Sequence, residues 1–224
     1  MNMQEIVQLN IMGEPLQEMK GIINDYTLTD NNQRADFMCK LMKYYDYYEV
    51  GCGTNRIVFS HPDYEGYVFK IALDDRGIKD NNLEYELGKV IPEQYITKCY
   101  YNNGIISVSE RVQVMTKEDM KEMKPIVMEI LKTLSADFIL NDVGHKQFLN
   151  WGIRNGKPVI LDYAYLRRIT PDMEFVCGYN GCEGKLAYTK NFSKFKCVEC
   201  GCKRSFSEIE DSVSKLIEDG MSID

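Results

Sequence analysis

The chain has 224 residues, 44% of them apolar, and carries a net charge of −7, which is enough chain for one large domain or two small ones with an ordinary core. The negative balance argues against a general affinity for nucleic acid, and no apolar run approaches the ~18 residues of a membrane helix. The start, Met1-Asn2-Met3-Gln4-Glu5, lacks the basic and apolar regions of a signal peptide, so a cytoplasmic protein without membrane contact is expected.

Residues 1–48 read as an N-terminal helical extension. Residues 5–12 fit either a strand or a helix start, and Gly13, Pro15 and Gly21 interrupt the pattern after them. Thr29 or Asp30 can cap a helix carrying Ala35, Phe37, Met38, Leu41, Met42 and Tyr45. The tyrosines at 44, 45, 47 and 48 read as packing residues with their hydroxyls at the rim.

From Val50 the chain becomes glycine-punctuated and then apolar: Val50-Gly51-Cys52-Gly53-Thr54-Asn55-Arg56-Ile57-Val58-Phe59, a polar turn from His61 to Gly66, and a return run with Lys70 in its middle. This predicts a β-hairpin with a glycine-rich entry. A lysine inside an apolar strand is costly to bury unless an anion meets it, and glycines let backbone N–H groups approach a phosphate. Gly51, Gly53 and Lys70 therefore mark a candidate nucleotide-phosphate site. Residues 74–77 read as a turn. Residues 80–90 read as a helix with an Asx cap and apolar positions 83, 87 and 90, stopped by Pro92.

Residues 96–101 and 105–115 read as strands joined by a turn at Asn102-Asn103-Gly104. A helix from Lys117 or Pro125 to Ile139 is expected next, with Ile126, Ile130, Leu131, Leu134 and Phe138 on one face. Residues 141–152 form a loop, and a hairpin turning at Asn155-Gly156 ends in the run Val159-Ile160-Leu161-Asp162. Strands, helix, strands, helix, loop and hairpin in that order predict an α+β fold.

The ordered polar residues resemble the protein-kinase-like family. Gly51-x-Gly53 is followed by Lys70 in a strand and Glu84 on a helix, then by Asp142 and Asn150 in a loop and Asp162 at a strand end. The similarity covers about residues 49–166, within a core taken as 49–170. It looks most like the small kinase-like proteins of bacteriophages, in which a Gly-x-Gly-x-x-Arg loop and an Asn-Trp/Phe-Gly hairpin occur.

The resemblance implies that the turn at 51–56, with Gly51, Gly53, Thr54 and Arg56, covers the ATP phosphates, that Lys70 pairs with the α/β-phosphates, and that Glu84 orients Lys70, with Glu86 the competing carboxylate. It implies Asp142 as catalytic base, Asn150 and Asp162 as Mg²⁺ ligands, and Glu110 near the hinge that meets adenine. The departures are plain. Arg56 stands where a third glycine would be, and Leu140-Asn141-Asp142 replaces His-Arg-Asp. Asn150 lies eight residues after Asp142, Asp162-Tyr163-Ala164 replaces Asp-Phe-Gly, and no Ala-Pro-Glu segment follows.

Five of the eight cysteines fall within 26 residues, which in a cytoplasmic chain reads as metal ligation. Cys177-x4-Cys182 and Cys197-x2-Cys200, 14 residues apart, fit a tetrahedral Cys₄ zinc ribbon over 171–206. Cys202 competes with Cys200 as fourth ligand. Cys39, Cys52 and Cys99 read as small core residues. Residues 177–204 carry a local charge of +4, and an acidic amphipathic helix and tail follow over 207–224.

Three readings compete. The first is an ATP-, Mg²⁺- and Zn²⁺-binding enzyme that transfers the ATP γ-phosphate to a protein hydroxyl. The second is an inactive kinase-like scaffold that docks a protein partner, a host protein if phage-encoded, through the ribbon. The third is a nucleic-acid-associated zinc-ribbon protein, disfavoured by the charge.

Overall fold

The computed structural model describes residues 13–144, 146–169, 175–189, 192, 194–205 and 208–209. The expected segment at 5–12, His145 and nearly all of the expected acidic helix at 207–224 lie outside the described residues. The chain is a mixed α+β protein with a four-cysteine cluster near its C-terminus. It divides into two compact units, each assembled from separate stretches: Met1–Val114 with Gly152–Ala164, and Met115–Trp151 with Tyr165–Asp224.

The first unit is built on a five-stranded antiparallel sheet of order β1-β2-β3-β5-β4, formed by β1 (Tyr48–Cys52), β2 (Arg56–Ser60), β3 (Tyr67–Ala72), β4 (Cys99–Asn102) and β5 (Ile106–Glu110). Strand side chains alternate between faces, and the register aligns Ile57 with Ile71 and Ile106, and Phe59 with Phe69 and Val108. These six are buried together. Their face is covered by α1 (Glu14–Asn24) and α2 (Asn31–Tyr44), through Leu16, Met19, Met38, Leu41 and Met42. The register also aligns Val58 with Lys70 and Ser107, which puts Lys70 on the other face, where α3 (Asp75–Leu87) packs. A smaller sheet of order β6-β8-β9 is made of β6 (Gln113–Val114), β8 (Trp151–Arg154) and β9 (Lys157–Ile160). Asn155 and Gly156 turn between its last two strands with φ of 51° and 74°, the left-handed pair an Asn-Gly hairpin requires.

The second unit contains α4 (Lys117–Leu134), the pair β7 (Phe138–Ile139) and β10 (Arg167–Arg168), and a ribbon of β11 (Leu186–Tyr188), β12 (Phe195–Cys197) and β13 (Lys203–Arg204). A capping box starts α4: Thr116 Oγ1 accepts from Asp119 N at 3.1 Å, and Thr116 N donates to Asp119 Oδ2 at 2.9 Å.

Several expectations are corrected. Residues 14–24 are helical, because Pro15 sits in the first turn, where its missing N–H costs nothing, and Leu16, Met19 and Ile23 recur at helical spacing. In α2, Phe37 is exposed and Ala35, Met38, Leu41 and Met42 are buried. Tyr47 is buried with no partner for its hydroxyl among the described residues, whereas Tyr44 is 82% exposed. Residues 74–77 are not a separate turn. Asp74 caps α3 by accepting from Gly77 N at 2.9 Å. Consequently Asp80 is inside the helix and buried, while Leu83 and Val90 are exposed. Helix α4 runs through Pro125 and ends at Leu134, so Phe138 and Ile139 are strand, and Val127 rather than Ile126 faces inward.

Gly77 sits where α3 meets the chain: an added Cβ would lie 2.2 Å from Asn55 O and 3.0 Å from Ala72. Gly21, in α1, faces open space. Gly77→Ala is expected to lower unfolding free energy by about 1–3 kcal/mol through overpacking, and Gly21→Ala to raise it by about 0.5–1 kcal/mol, both measured by urea denaturation.

Candidate functional site

In the first unit, four charged residues converge on the α3 side of the sheet. Glu84 is fully buried and shared: its Oε1 lies 2.7 Å from Lys70 Nζ and its Oε2 2.7 Å from Arg56 Nη1. Arg56 reaches onward, its Nη2 2.8 Å from Asp162 Oδ1. Lys70 also donates to the carbonyl of Leu161 at 2.8 Å. The cluster holds two cations and two carboxylates. Arg56 and Lys70 are nearly buried, while the Asp162 side chain keeps 37% of its surface exposed. Burial alone would push the Asp162 carboxyl up; the neighbouring Arg56 and Lys70 cations outweigh it and hold the group below the usual carboxylate range. Burial likewise opposes the charge on Arg56, and Glu84 and Asp162 reverse that and raise it.

Local sequence explains the convergence. Gly77, Asp80, Asn81, Glu84 and Leu87 recur at helical spacing, so α3 turns a mostly polar stripe inward. Asn81 accepts from Arg56 Nη1 at 3.3 Å and donates to the Gly104 carbonyl at 2.8 Å. Asn55 Nδ2 donates to Asp80 Oδ2 at 3.1 Å. Every one of these buried polar atoms is therefore paired, as burial demands. Glu86 is on the exposed side, bonded to Lys89 at 2.6 Å, so Glu84 is the carboxylate that meets Lys70.

The glycine-rich turn joins β1 and β2. Gly53 N donates to Arg56 O at 2.8 Å, and Thr54 O accepts from Asn31 Nδ2 at 2.9 Å, which ties the turn to the start of α2. A Cβ at Gly51 would meet nothing within 4 Å, so the protein's own packing does not demand glycine there. Glu110 does not join the cluster. Its carboxylate accepts from Arg154 Nη1 at 2.9 Å.

In the second unit, Asp142 and Asn150 are brought together. Asn150 Nδ2 donates to the Asp142 carbonyl at 2.7 Å and to its Oδ2 at 3.3 Å. Asp142 has φ of 59°, the left-handed region that aspartate tolerates better than most residues. Trp151, fully buried, donates from Nε1 to Val143 O at 3.0 Å and closes the loop.

The second unit also holds the cysteine cluster. The Sγ atoms of Cys177, Cys182, Cys197 and Cys200 all lie within 4.8 Å of one another and could bind a metal ion such as zinc. A tetrahedron with Zn–S of ~2.3 Å has an S–S edge of ~3.8 Å. The Cys177–Cys200 and Cys182–Cys197 separations of 3.6 and 3.7 Å match that edge. Cys202 lies 3.0 Å from Cys177, which is short of the edge, so Cys200 fits the fourth position better. Gly184 N points at Cys182 Sγ, and the N–H groups of Glu199 and Cys200 point at Cys197 Sγ, at 3.4–3.5 Å. Such donors favour thiolates. The Cys200 thiol is lowered to about 6, first by the backbone N–H of Cys202 and then by its thiol.

The expectations from sequence missed Arg56 as a partner of both carboxylates, and missed Asn81, Asn55 and Asp80. A signal was available: Asn81 and Glu84 stand three residues apart on the helix that follows the Lys70 strand. No family model and no curated protein matches the chain. Among the described residues no helix is long and apolar enough to cross a membrane.

Two predictions follow from this geometry. Glu84→Gln leaves two nearly buried cations facing a neutral amide and is expected to cost about 3–5 kcal/mol in chemical denaturation, more than Lys70→Met, which leaves Arg56 to neutralise Glu84. Purified protein is expected to retain one zinc per chain by elemental analysis; Cys197→Ser should lose it, and Cys202→Ser should keep it.

Proposed function

We propose that the first unit is the nucleotide-binding part of a protein-kinase-like protein and that the chain transfers the ATP γ-phosphate to a protein hydroxyl. The observation that carries this reading is the 2.7 Å ion pair of Lys70, in a central strand, with Glu84, on the helix packed against that strand. It is the pairing the family resemblance calls for. The open space at Gly51 also supports it, since a glycine not required by packing leaves room for a ligand.

The residues fit a polyphosphate: two nearly buried basic side chains beside a carboxylate still reachable from solvent. In this reading Lys70 and Arg56 offset phosphate charge, and Glu84 fixes both in direction. Asp162 and Asn150 are the residues the resemblance assigns to Mg²⁺, whose chemistry when bound is to neutralise charge on the transferring phosphoryl group. Asp142 is the group assigned to accept the acceptor's proton. The Cys₄ cluster takes zinc as a structural ion, and the reading places the protein in the cytoplasm, of a host if it is phage-encoded.

A second reading has its own observation. Arg56 occupies one oxygen of Asp162 at 2.8 Å, which suits a nucleotide-binding scaffold that does not transfer phosphate.

The test is the melting temperature of the zinc-loaded protein with and without Mg-ATP. At about 100 times its Kd a ligand adds roughly 2.7 kcal/mol, a shift on the order of 5–10 °C for a chain of this size. The wild type and Asp142→Asn should show the shift, and Lys70→Ala and Asp162→Ala should lose it. Absence of a shift at millimolar Mg-ATP overturns the nucleotide site; a shift without γ-phosphate transfer to any protein acceptor selects the scaffold.

A further inference from the structure

We propose that the outward face of the β11-β12-β13 ribbon is a docking surface for the phosphate backbone of nucleic acid. The ribbon's two faces differ completely. Leu186, Phe195 and Cys197 are buried, while Lys185, Ala187, Lys194, Lys196 and Lys203 alternate with them along the strands and are exposed. The register sets Ala187 opposite Lys196, and Lys196 opposite Lys203. Lys194 and Lys196 are two residues apart on one strand, ~6.6 Å along it. One face of a three-stranded ribbon thus presents four lysines.

Like charges directly opposite each other on a sheet are unfavourable. Among the described residues none of the four lysines forms a close ion pair, and the one carboxylate that acts on them is Glu208, on Lys194 at longer range. The nearby carboxylate of Glu208 is engaged by Ser205, by its N at 2.6 Å and its Oγ at 2.7 Å. Residues 177–204 carry +4 inside a chain of −7, so the module is locally basic against an acidic whole.

The composition of the face selects the partner. Protein interfaces are depleted in lysine and centred on aromatic anchors, whereas this face offers only Ala187, and Val198 at its margin. Lysines spaced along an extended strand suit a chain of phosphates, which they contact without reading sequence. The surface is independent of the nucleotide reading and stands or falls separately.

The experiment is fluorescence anisotropy of the zinc-loaded full chain with labelled random-sequence duplex DNA, and with the corresponding single strand, across a salt series. Four phosphate contacts give a log–log salt slope of about −3.6 for duplex, so affinity should fall about 150-fold between 50 and 200 mM salt. Lys196→Gln/Lys203→Gln should halve the slope with zinc content and melting temperature unchanged; Lys185→Gln/Lys194→Gln serves as a second pair should the first fail to fold. No binding at 50 mM salt, a slope that neither pair alters, or equally tight binding of a polyglutamate peptide would overturn the proposal.

Discussion

Glu84 has no solvent contact, and a carboxylate in that position remains charged only if cations replace the water it has lost. Two do so, Lys70 from β3 and Arg56 from β2, and Arg56 binds a second carboxylate, Asp162, beyond the end of β9. The hairpin, the helix and the segment after β9 therefore share one set of charges. Displacing the hairpin leaves Glu84 without either cation, and displacing the helix leaves Lys70 without a carboxylate. The arrangement specifies geometry rather than supplying net stability, because the desolvation of four ionised groups offsets most of their attraction.

That requirement explains why α3 is built against the usual rule. Its inward stripe is Gly77, Asp80, Asn81, Glu84 and Leu87, and its apolar Leu83 is exposed. Gly77 lets the first turn come close enough for Asn55 to meet Asp80 and for Leu73 N to reach Asn55 O at 2.9 Å. Asn81 then binds the backbone at Gly104 and at Lys70. The helix is positioned by hydrogen bonds to strand and turn backbone, so its depth against the sheet is set by directional contacts rather than by apolar area.

Much of this was legible before the structure, where local chemistry decides. The Asn-Gly turns at 103–104 and 155–156 require left-handed residues, and the cysteine spacing requires only a metal's tetrahedron. The cost of an unpaired buried lysine called for an anion near Lys70, the family resemblance pointed to Glu84 with Glu86 as competitor, and the structure pairs Lys70 with Glu84. Where tertiary contacts decide, the reading went astray. Of the expected apolar positions 83, 87 and 90, Leu87 is buried, but Leu83 is exposed and Val90 lies past the helix end, because apolar periodicity cannot register a helix that buries its polar side. Pro15 and Gly21 looked like breaks in what is a helix packed through Leu16 and Met19. Pro125 sits inside α4 because the inward row of Met120, Val127, Ile130, Leu131 and Leu134 outweighs one lost backbone bond. Arg56 was legible as part of the glycine-rich turn but not as the partner of two carboxylates, which lie 28 and 106 residues away in sequence.

The cysteine module is more than an appendage to the second unit. Its core consists of Ile139, Cys177, Leu186, Phe195, Cys197 and Ile209, two of which are metal-ligand candidates, so metal ligation and core formation draw on the same side chains. A core that small does not order a ribbon by apolar burial alone. Tyr188, on β11, accepts from Leu140 N at 2.8 Å and donates to Phe138 O at 3.1 Å, and Ile139 lies in the ribbon's own core. Strand β7 is thus held by the ribbon through two hydrogen bonds and one buried side chain. Asp142 follows that strand by three residues in a left-handed conformation, which costs energy unless its surroundings impose it. Asn150 and Trp151 restrain the loop from its far end, and the ribbon restrains it from the near end. The ribbon and the Asp142 loop are therefore joined through β7, which β10 also pairs.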